Sequence, residues 1–176
     1  MDADVFELRL EYPKLCHMRE ALDYRKEFAD RGEAHIPGGG GLGRAESYEV
    51  WLRGVTAMRS RPEPGWVACS TFFALVGERI VGTVQIRHEL NGTLMISGGH
   101  IGYGVRPSER RKGYATAMLA AALVNCRALG IKSALVTCDR SNVGSARTIE
   151  KNGGVFENEL TEEDGTAVRR YWVPCE

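Results

Sequence analysis

Residues 100–137 contain a β-rich run, a long helical pattern and a second β-rich run in immediate succession. The middle segment carries apolar residues at the 3.6-residue period of an α-helix, namely Ala115, Met118, Leu119, Ala122, Cys126 and Leu129. Gly130 follows where a helix C-cap is expected. HIGYGV (100–105) and SALVT (133–137) are the flanking strands. This order is typical of α/β domains, so we expect a mixed α/β fold.

The rest of the chain supplies further helices and strands on both sides of this unit. We expect a strand over 5–11, helices over 14–31, 50–58 and 143–152, a hairpin over 70–90, and a closing hairpin formed by 155–160 and 167–173. The predicted order is β-α-α-β-β-β-α-β-α-β-β. A chain of 176 residues suits one domain with its own core, so residues 1–176 are predicted to form a single domain.

Composition narrows the class of partner. Lys plus Arg (23) equals Asp plus Glu (23), which gives no reason to expect nucleic acid or an anionic membrane as the main partner. The N-terminal residues MDADVFELRLEY lack the pattern of a signal peptide. The five cysteines and four histidines show no metal-site spacing. We therefore expect a cytoplasmic protein without a metal.

The glycine-rich stretch IPGGGGLGR (36–44) resembles a phosphate-binding loop only superficially. It follows a predicted helix, not a strand, and it lacks both the Lys–Ser/Thr of a P-loop and the GxGxxG spacing. We expect a flexible connection between two helices. The alternative is a lid or wall over a substrate cleft.

A better phosphate site lies in RRKGYATAML (110–119), which follows a strand and opens the longest helical pattern. Backbone N–H groups at a helix start have no partner within the helix and bind anions. Gly113 allows close approach of a bulky anion, and Arg110, Arg111 and Lys112 add positive charge. The alternative is an ordinary basic loop before a helix.

Four segments together resemble the GNAT superfamily of acyl-CoA-dependent N-acetyltransferases. RRKGYA (110–115) is similar to the family motif of Gln or Arg, two residues, Gly, one residue, then Gly or Ala. HIGYGVRP resembles the family's fourth strand with its bulge, SALVTCD the fifth strand, and NVGSARTIEKNGG (142–154) the segment that follows. The resemblance is specific over 80–156. Before residue 70 it depends on element order alone.

The resemblance implies that strands four and five splay apart and hold acetyl-CoA between them. Residues 70–176 would form the acyl-CoA core and closing hairpin, and residues 1–69 the acceptor side. Pantetheine would pair with the backbone of Tyr103 and Val105, and the diphosphate would lie on the N–H groups of 111–116. The implied cofactor residues are Tyr103, Val105, Arg110, Arg111, Lys112, Gly113, Tyr114, Ala115, Thr116, Asn142 and Ser145. Asn142 can equally be the N-cap of its helix.

Acetyl transfer to an amine also needs an oxyanion donor, a base and help for the leaving thiolate. The resemblance implies the free N–H of Val105, at the bulge, as the donor. Ile149 occupies the position where the family often has a Tyr that protonates the leaving thiolate. Tyr171 or Tyr103 could take this role instead, or the reaction could proceed without an acid. His100 and Glu89 are candidate bases, and Glu89 could orient His100. The alternative for each residue is a structural role at a strand end or in the core.

The function that follows is transfer of an acetyl group from acetyl-CoA to a primary amine of a small molecule or peptide, by direct attack in a ternary complex. A non-catalytic acyl-CoA sensor is the alternative, because the usual Tyr is absent. A nucleotide-binding domain is disfavoured by the missing Walker motif. The acceptor is not predicted, and a homodimer is expected only by family analogy.

Overall fold

The computed structural model describes residues 7–175, and its element order matches the predicted order with one added short helix. The strands are β1 (Arg9–Glu11), β2 (Cys69–Val76), β3 (Arg79–Arg87), β4 (Ile101–Val105), β5 (Ser133–Asp139), β6 (Val155–Thr161) and β7 (Ala167–Pro174). The helices are α1 (Met18–Asp30), α2 (Tyr48–Met58), α3 (Gly92–Ile96), α4 (Tyr114–Ala128) and α5 (Val143–Lys151). The short α3 lies between β3 and β4, where the residues NGT (91–93) are typical of a turn. Residues 5 and 6 of the first predicted strand lie outside the described residues.

The strands form two antiparallel sheets, with orders β1-β2-β3-β4 and β5-β7-β6. Strands β4 and β5 therefore belong to different sheets, which confirms the predicted splay. The two sheets meet just before β4, where the His100 N–H donates to the Leu135 carbonyl at 2.7 Å. The strands are thus held together at this end and leave a gap beyond it.

The first sheet has a core on each face. On one face, Val84 and Ile86 pack in the same cluster as Met118 and Leu119 of α4. On the other face, Phe73 packs in a second cluster that includes residues of α1 and α2, such as Tyr24 and Trp51. The sheet is thus buried on both faces, by α4 on one side and by α1 and α2 on the other. Its last strand, β4, is an edge strand.

The glycine-rich loop is packed, so the prediction of a flexible connection is wrong. Ile36 and Leu42 are buried. The Trp51 indole N–H donates to the Gly39 carbonyl at 2.9 Å, and the Thr83 hydroxyl donates to the Pro37 carbonyl at 3.0 Å. The loop lies against β3 and β4 because β4 has no side chain at Gly104, where an added Cβ would be 2.6 Å from the Pro37 oxygen. The loop forms a wall of the cavity described below.

The close approach at Gly104 predicts a specific loss of stability. Gly104→Ala forces the loop away from β4, and we expect the free energy of unfolding to fall by about 1–3 kcal/mol. Gly54→Ala is the matched control, because an added Cβ in the middle of α2 has nothing within 4 Å. That change should stabilise the protein by about 0.5–1 kcal/mol. Equal denaturation midpoints for the two variants would contradict this packing.

Candidate active site

A large cavity extends from the glycine-rich loop and α2, across β4, to the first turns of α4 and α5. Its volume is about 1880 Å³. Typical single-ligand pockets measure about 300–1,000 Å³. The cavity is therefore large enough to hold two ligands side by side, one at the β4–β5 gap and one under the loop.

The first turn of α4 presents backbone donors to this cavity. Gly113 precedes the helix with φ +92°, and Arg111 is in the left-handed region with φ +65°. Among residues 7–175, no acceptor is found for the N–H groups of 111–113, 115 and 116. These donors lie at the positive end of a 15-residue helix. The site suits a diphosphate, as the sequence predicted.

The three basic residues of the predicted phosphate loop have different surroundings. Arg110 donates to both carboxylate oxygens of Glu33, at 3.0 and 2.7 Å. Lys112 Nζ donates to Glu109 at 2.8 Å and does not line the cavity. Arg111 lines the cavity and has no carboxylate partner within the described residues. Of the three, Arg111 is the cation best placed for an anion.

The edge of β4 offers backbone groups to the gap. The Arg87 N–H donates to His100 and the Arg106 N–H to Val81, each at 2.7 Å, so the even-numbered residues of β4 pair with β3. The N–H groups of Tyr103, Val105 and also Ile101 point away from β3. The β3–β4 register runs unbroken from Gly82–Val105 to Ile86–Ile101. The expected bulge is therefore wrong, and the amides face the gap because β4 is an edge strand.

The start of α5 closes the other side of the gap. The Asn142 side chain accepts from the Ser145 N–H at 3.0 Å, so Asn142 is the N-cap of α5, and both residues line the cavity. The Tyr103 hydroxyl and the Ser145 hydroxyl lie 2.7 Å apart. Burial raises the pKa of Tyr103 to about 12. Tyr103 is thus a neutral hydroxyl in the gap at physiological pH.

The cavity is cationic although the whole chain is neutral. Its lining includes six cationic side chains, Arg61, Arg87, Arg110, Arg111, Arg147 and Lys151, against two carboxylates, Glu63 and Asp139. This excess favours anionic ligands. Composition could not reveal it, because the cations come from segments that are far apart in the sequence.

Two further features are absent from the described part of the chain. Residues 7–175 contain no group of three or more His, Cys, Asp or Glu side chains arranged to hold a metal ion. None of the helices in that range has the length and apolar character needed to cross a membrane.

Comparison with protein-family models shows the family to which the chain belongs. A family model described as "Acetyltransferase (GNAT) domain" matches residues 19–155, well over half of the chain. The chain belongs to the GNAT acetyltransferase family. The resemblance noted from the sequence is thereby confirmed. Comparison with curated proteins gives no match.

Solved structures support the GNAT fold over nearly the whole chain. RimL, a ribosomal L7/L12 α-N-protein acetyltransferase in complex with coenzyme A, has a TM-score of 0.71 at 14% identity, covering 96% of this chain and 94% of that one. The microcin C7 self-immunity acetyltransferase MccE, in complex with acetyl-CoA and AMP, has a TM-score of 0.69 at 16% identity, covering 96% of this chain and 92% of that one. A chimera of the Vibrio cholerae spermidine N-acetyltransferase SpeG with hSSAT has a TM-score of 0.64 at 16% identity, covering 96% of each chain. At these identities the likeness shows the fold alone.

The two predicted bases of this GNAT chain are not brought together. His100 is buried at the junction of the sheets, where its Nδ1 accepts from the Leu135 N–H at 2.9 Å. Glu89 is exposed and lies near His88. Neither residue lines the cavity. The geometry of His100 favours a role in joining β4 to β5.

The hydrogen bond to His100 predicts a pH-dependent stability. Burial, together with nearby Arg87, lowers the pKa of His100. As the pH falls below about 6.5, the unfolded chain therefore takes up a proton before the folded chain does, and stability is lost. His100→Asn keeps a side-chain acceptor that does not titrate, so the decline between about pH 7.5 and 5.5 should become shallower. His35→Asn, at an exposed position, should leave the wild-type decline unchanged. If the free energy of unfolding declined equally with falling pH in the wild type and in His100→Asn, this origin of the pH dependence would be excluded.

The predicted acid Tyr171 does not line the cavity either. It is buried and packs edge-on against Phe156, with ring centroids 5.6 Å apart. Ile149, at the position of the family's usual Tyr, is fully buried in the same core. Of the two candidate tyrosines, Tyr103 is the one that lines the cavity.

Sequence reasoning missed the imidazole and carboxylate groups that line the cavity on the acceptor side and at the gap. They are His35, Glu63 and Asp139, all exposed. His35 and Glu63 lie in loops without periodic pattern, and Asp139 ends β5. No local signal marks them, because their role depends on which segments face each other.

Proposed function

We propose that this protein transfers an acetyl group from acetyl-CoA to a primary amine by direct attack in a ternary complex. The continuous cavity carries this proposal, because it joins a helix start with unpaired backbone donors to a second region under the glycine-rich loop. Membership of the acetyltransferase family supports the reaction class. The CoA or acetyl-CoA in two of the similar structures supports the choice of co-substrate.

The chain's own groups fit acetyl-CoA along the gap. The amides of 111–116 and the side chain of Arg111 would hold the diphosphate. The edge of β4 would pair with the amide groups of pantetheine, as a partner strand does. Ser145 and Asn142 would contact the same arm from α5. When bound, acetyl-CoA supplies an activated thioester.

The reaction places three demands on the protein. An ammonium must lose a proton before it can attack, and we propose the cavity-lining His35, Glu63 and Asp139 as acceptors, directly or through water. The assignments of His100 and Glu89 as bases stay predictions. An amide on the β4 edge, at the end away from the diphosphate, would donate to the charge that develops on the acetyl oxygen. The assignment of the Val105 N–H to this role stays a prediction from the sequence.

The Tyr103 hydroxyl would assist departure of the thiolate. A thiol has a pKa near 8.5, well below the value of about 12 for Tyr103. Tyr103 therefore stabilises the leaving sulfur by donating a hydrogen bond and keeps its proton. The Ser145 hydroxyl, 2.7 Å away, orients the phenol. Tyr171 as an acid stays a prediction from the sequence.

The test is amine-dependent release of CoA. Acetyl-CoA is incubated with the protein and a panel of amino acids, polyamines, aminoglycosides and peptides with free N-termini. We expect thiol release with at least one amine, a product heavier by one acetyl group, and initial-rate patterns of a ternary complex. Tight acetyl-CoA binding without release across the panel would support the sensor instead. ATP binding as strong as acetyl-CoA binding would favour a nucleotide-binding domain.

A further inference from the structure

Arg87 presents an unused pair of hydrogen-bond donors at the cavity. Its Nη1 donates to the Gly98 carbonyl at 2.9 Å and to the Gly99 carbonyl at 3.4 Å. Within residues 7–175, its Nε and Nη2 groups have no acceptor, and no carboxylate pairs with the guanidinium. The side chain lines the cavity on the acceptor side of the sheet, next to Gln85 and Cys69.

The two free nitrogens are accessible. No side-chain nitrogen or oxygen in the described residues is both fully buried and without a partner, so Nε and Nη2 of Arg87 are in contact with solvent. They lie side by side on one edge of the guanidinium. This edge matches the two oxygens of a carboxylate, which Arg binds in a bidentate manner.

The position of the guanidinium is fixed by its neighbours. It lies against Gly102 of β4, where an added Cβ would be 3.4 Å from Nη2 and 3.5 Å from Nη1. The turn that holds its other edge is itself fixed, since the Gly98 N–H donates to the Thr137 hydroxyl at 3.0 Å. The donors are therefore positioned before any ligand arrives, which reduces the entropy lost on binding.

Among residues 7–175, the two buried arginines have acidic partners. Arg106 pairs with Glu20 and Glu27, and Arg170 pairs with Glu157. The remaining cations of the cavity lining are exposed, whereas Arg87 is half-buried. Burial lowers the pKa of Arg87. A partly desolvated cation without a counter-charge is costly, and an anionic ligand would relieve that cost.

Arg87 lies in the half of the cavity where acetyl transfer would occur. The diphosphate site follows Val105, so an extended pantetheine arm would run back along β4 towards Ile101, over about 13 Å. Gly102, on which Arg87 lies, is next to Ile101. The acyl end and the Arg87 donors would therefore be close to each other.

We propose that the acceptor is a small amino carboxylate, a molecule that carries both the primary amine and a carboxylate bound by Arg87. This inference rests on the proposed function. Arg87 is a specificity residue that holds the acceptor while the amine attacks. Its loss should therefore raise the KM for the acceptor more than it lowers kcat.

The experiment compares acetylation of amino acids with that of their carboxamides, which have the same side chain and amine but no carboxylate. For the best pair, we expect the wild type to prefer the carboxylate by roughly 30-fold in kcat/KM, the effect of losing a charge-assisted hydrogen-bonded pair. Arg87→Gln should remove this preference through KM, and Arg87→Lys should restore part of it. Arg127→Gln, at an exposed position on α4, should retain it, and the KM for acetyl-CoA should stay unchanged in all three variants.

The outcomes separate this inference from the proposed function. Acetylation of carboxamides or peptide N-termini as efficient as that of amino acids would overturn the inference and leave the acetyltransferase proposal intact. If no amine is acetylated, the same pairs are titrated into protein saturated with CoA. Binding of the amino acid but not of its carboxamide, abolished by Arg87→Gln, would then support the carboxylate site even without acetyl transfer. Equal binding of the two compounds, or no binding of either, would overturn the inference.

Discussion

Gly113→Glu is expected to weaken acetyl-CoA binding by at least about 100-fold. The substitution puts a carboxylate at the helix start where the diphosphate is proposed to bind, and two like charges about 4 Å apart repel by several kcal/mol even at an effective dielectric constant of about 20. An added Cβ at Gly113 has nothing within 4 Å, so the substitution introduces no clash at the Cβ. The measurement is calorimetric titration of acetyl-CoA into the folded variant.

The control for Gly113→Glu is Gly113→Gln, which has nearly the same size and no charge. Both variants carry the same backbone strain, because φ at this position is +92°, where a side chain costs about 1–2 kcal/mol. The difference between them therefore reports the charge. Affinities that are equal for the two variants and the wild type would place the diphosphate elsewhere.

Arg106→Leu is expected to give the largest loss of stability among the substitutions considered. Arg106 is 3% exposed. Its Nε donates to Glu27 at 2.7 Å, and its Nη1 donates to Glu20 and to the Ile80 carbonyl. Removing the arginine leaves half-buried Glu20 without a cation, and leaves half-buried Glu27 with only the longer contact to Arg79 at 3.8 Å. We expect a loss of about 3 kcal/mol and a fall in Tm of roughly 6–12 °C.

The matched control for Arg106→Leu is Lys26→Ala. It breaks a solvent-exposed ion pair on α1, the helix that carries Glu20 and Glu27. Lys26 and Asp30 are 2.6 Å apart, but their side chains are 71% and 60% exposed. Lys26→Ala should therefore change the free energy of unfolding by less than about 1 kcal/mol. Similar thermal unfolding curves for the two variants would show that the buried pair contributes no more than the exposed pair.

Local patterns predicted the elements around the β4–β5 gap because each carries its own signal. The apolar spacing of α4, its Gly130 cap and the Asn142 cap of α5 are encoded within a few residues. The glycine-rich loop was mispredicted because its order depends on Thr83 and Gly104, which are distant in sequence. The loop glycines permit close packing against β4 as well as flexibility, and only the partner strand distinguishes the two.

The surroundings of the site residues were predicted less well than the elements that carry them. Spacing alone does not show that His100 faces β5 or that Tyr171 faces the core, since both depend on how the two sheets meet. The basic run 110–112 looks uniform in sequence, yet Glu33 and Glu109 engage two of its members. Arg87 gave no local signal, because its significance lies in the missing acidic partner.

The most direct test of the central claim is calorimetric titration of acetyl-CoA into the wild-type protein, with ATP titrated separately. We predict micromolar binding of acetyl-CoA and no measurable heat from ATP at the same concentrations, since we propose that the gap holds the pantetheine arm as well as the diphosphate. Absence of acetyl-CoA binding, or equal binding of ATP, would contradict the account.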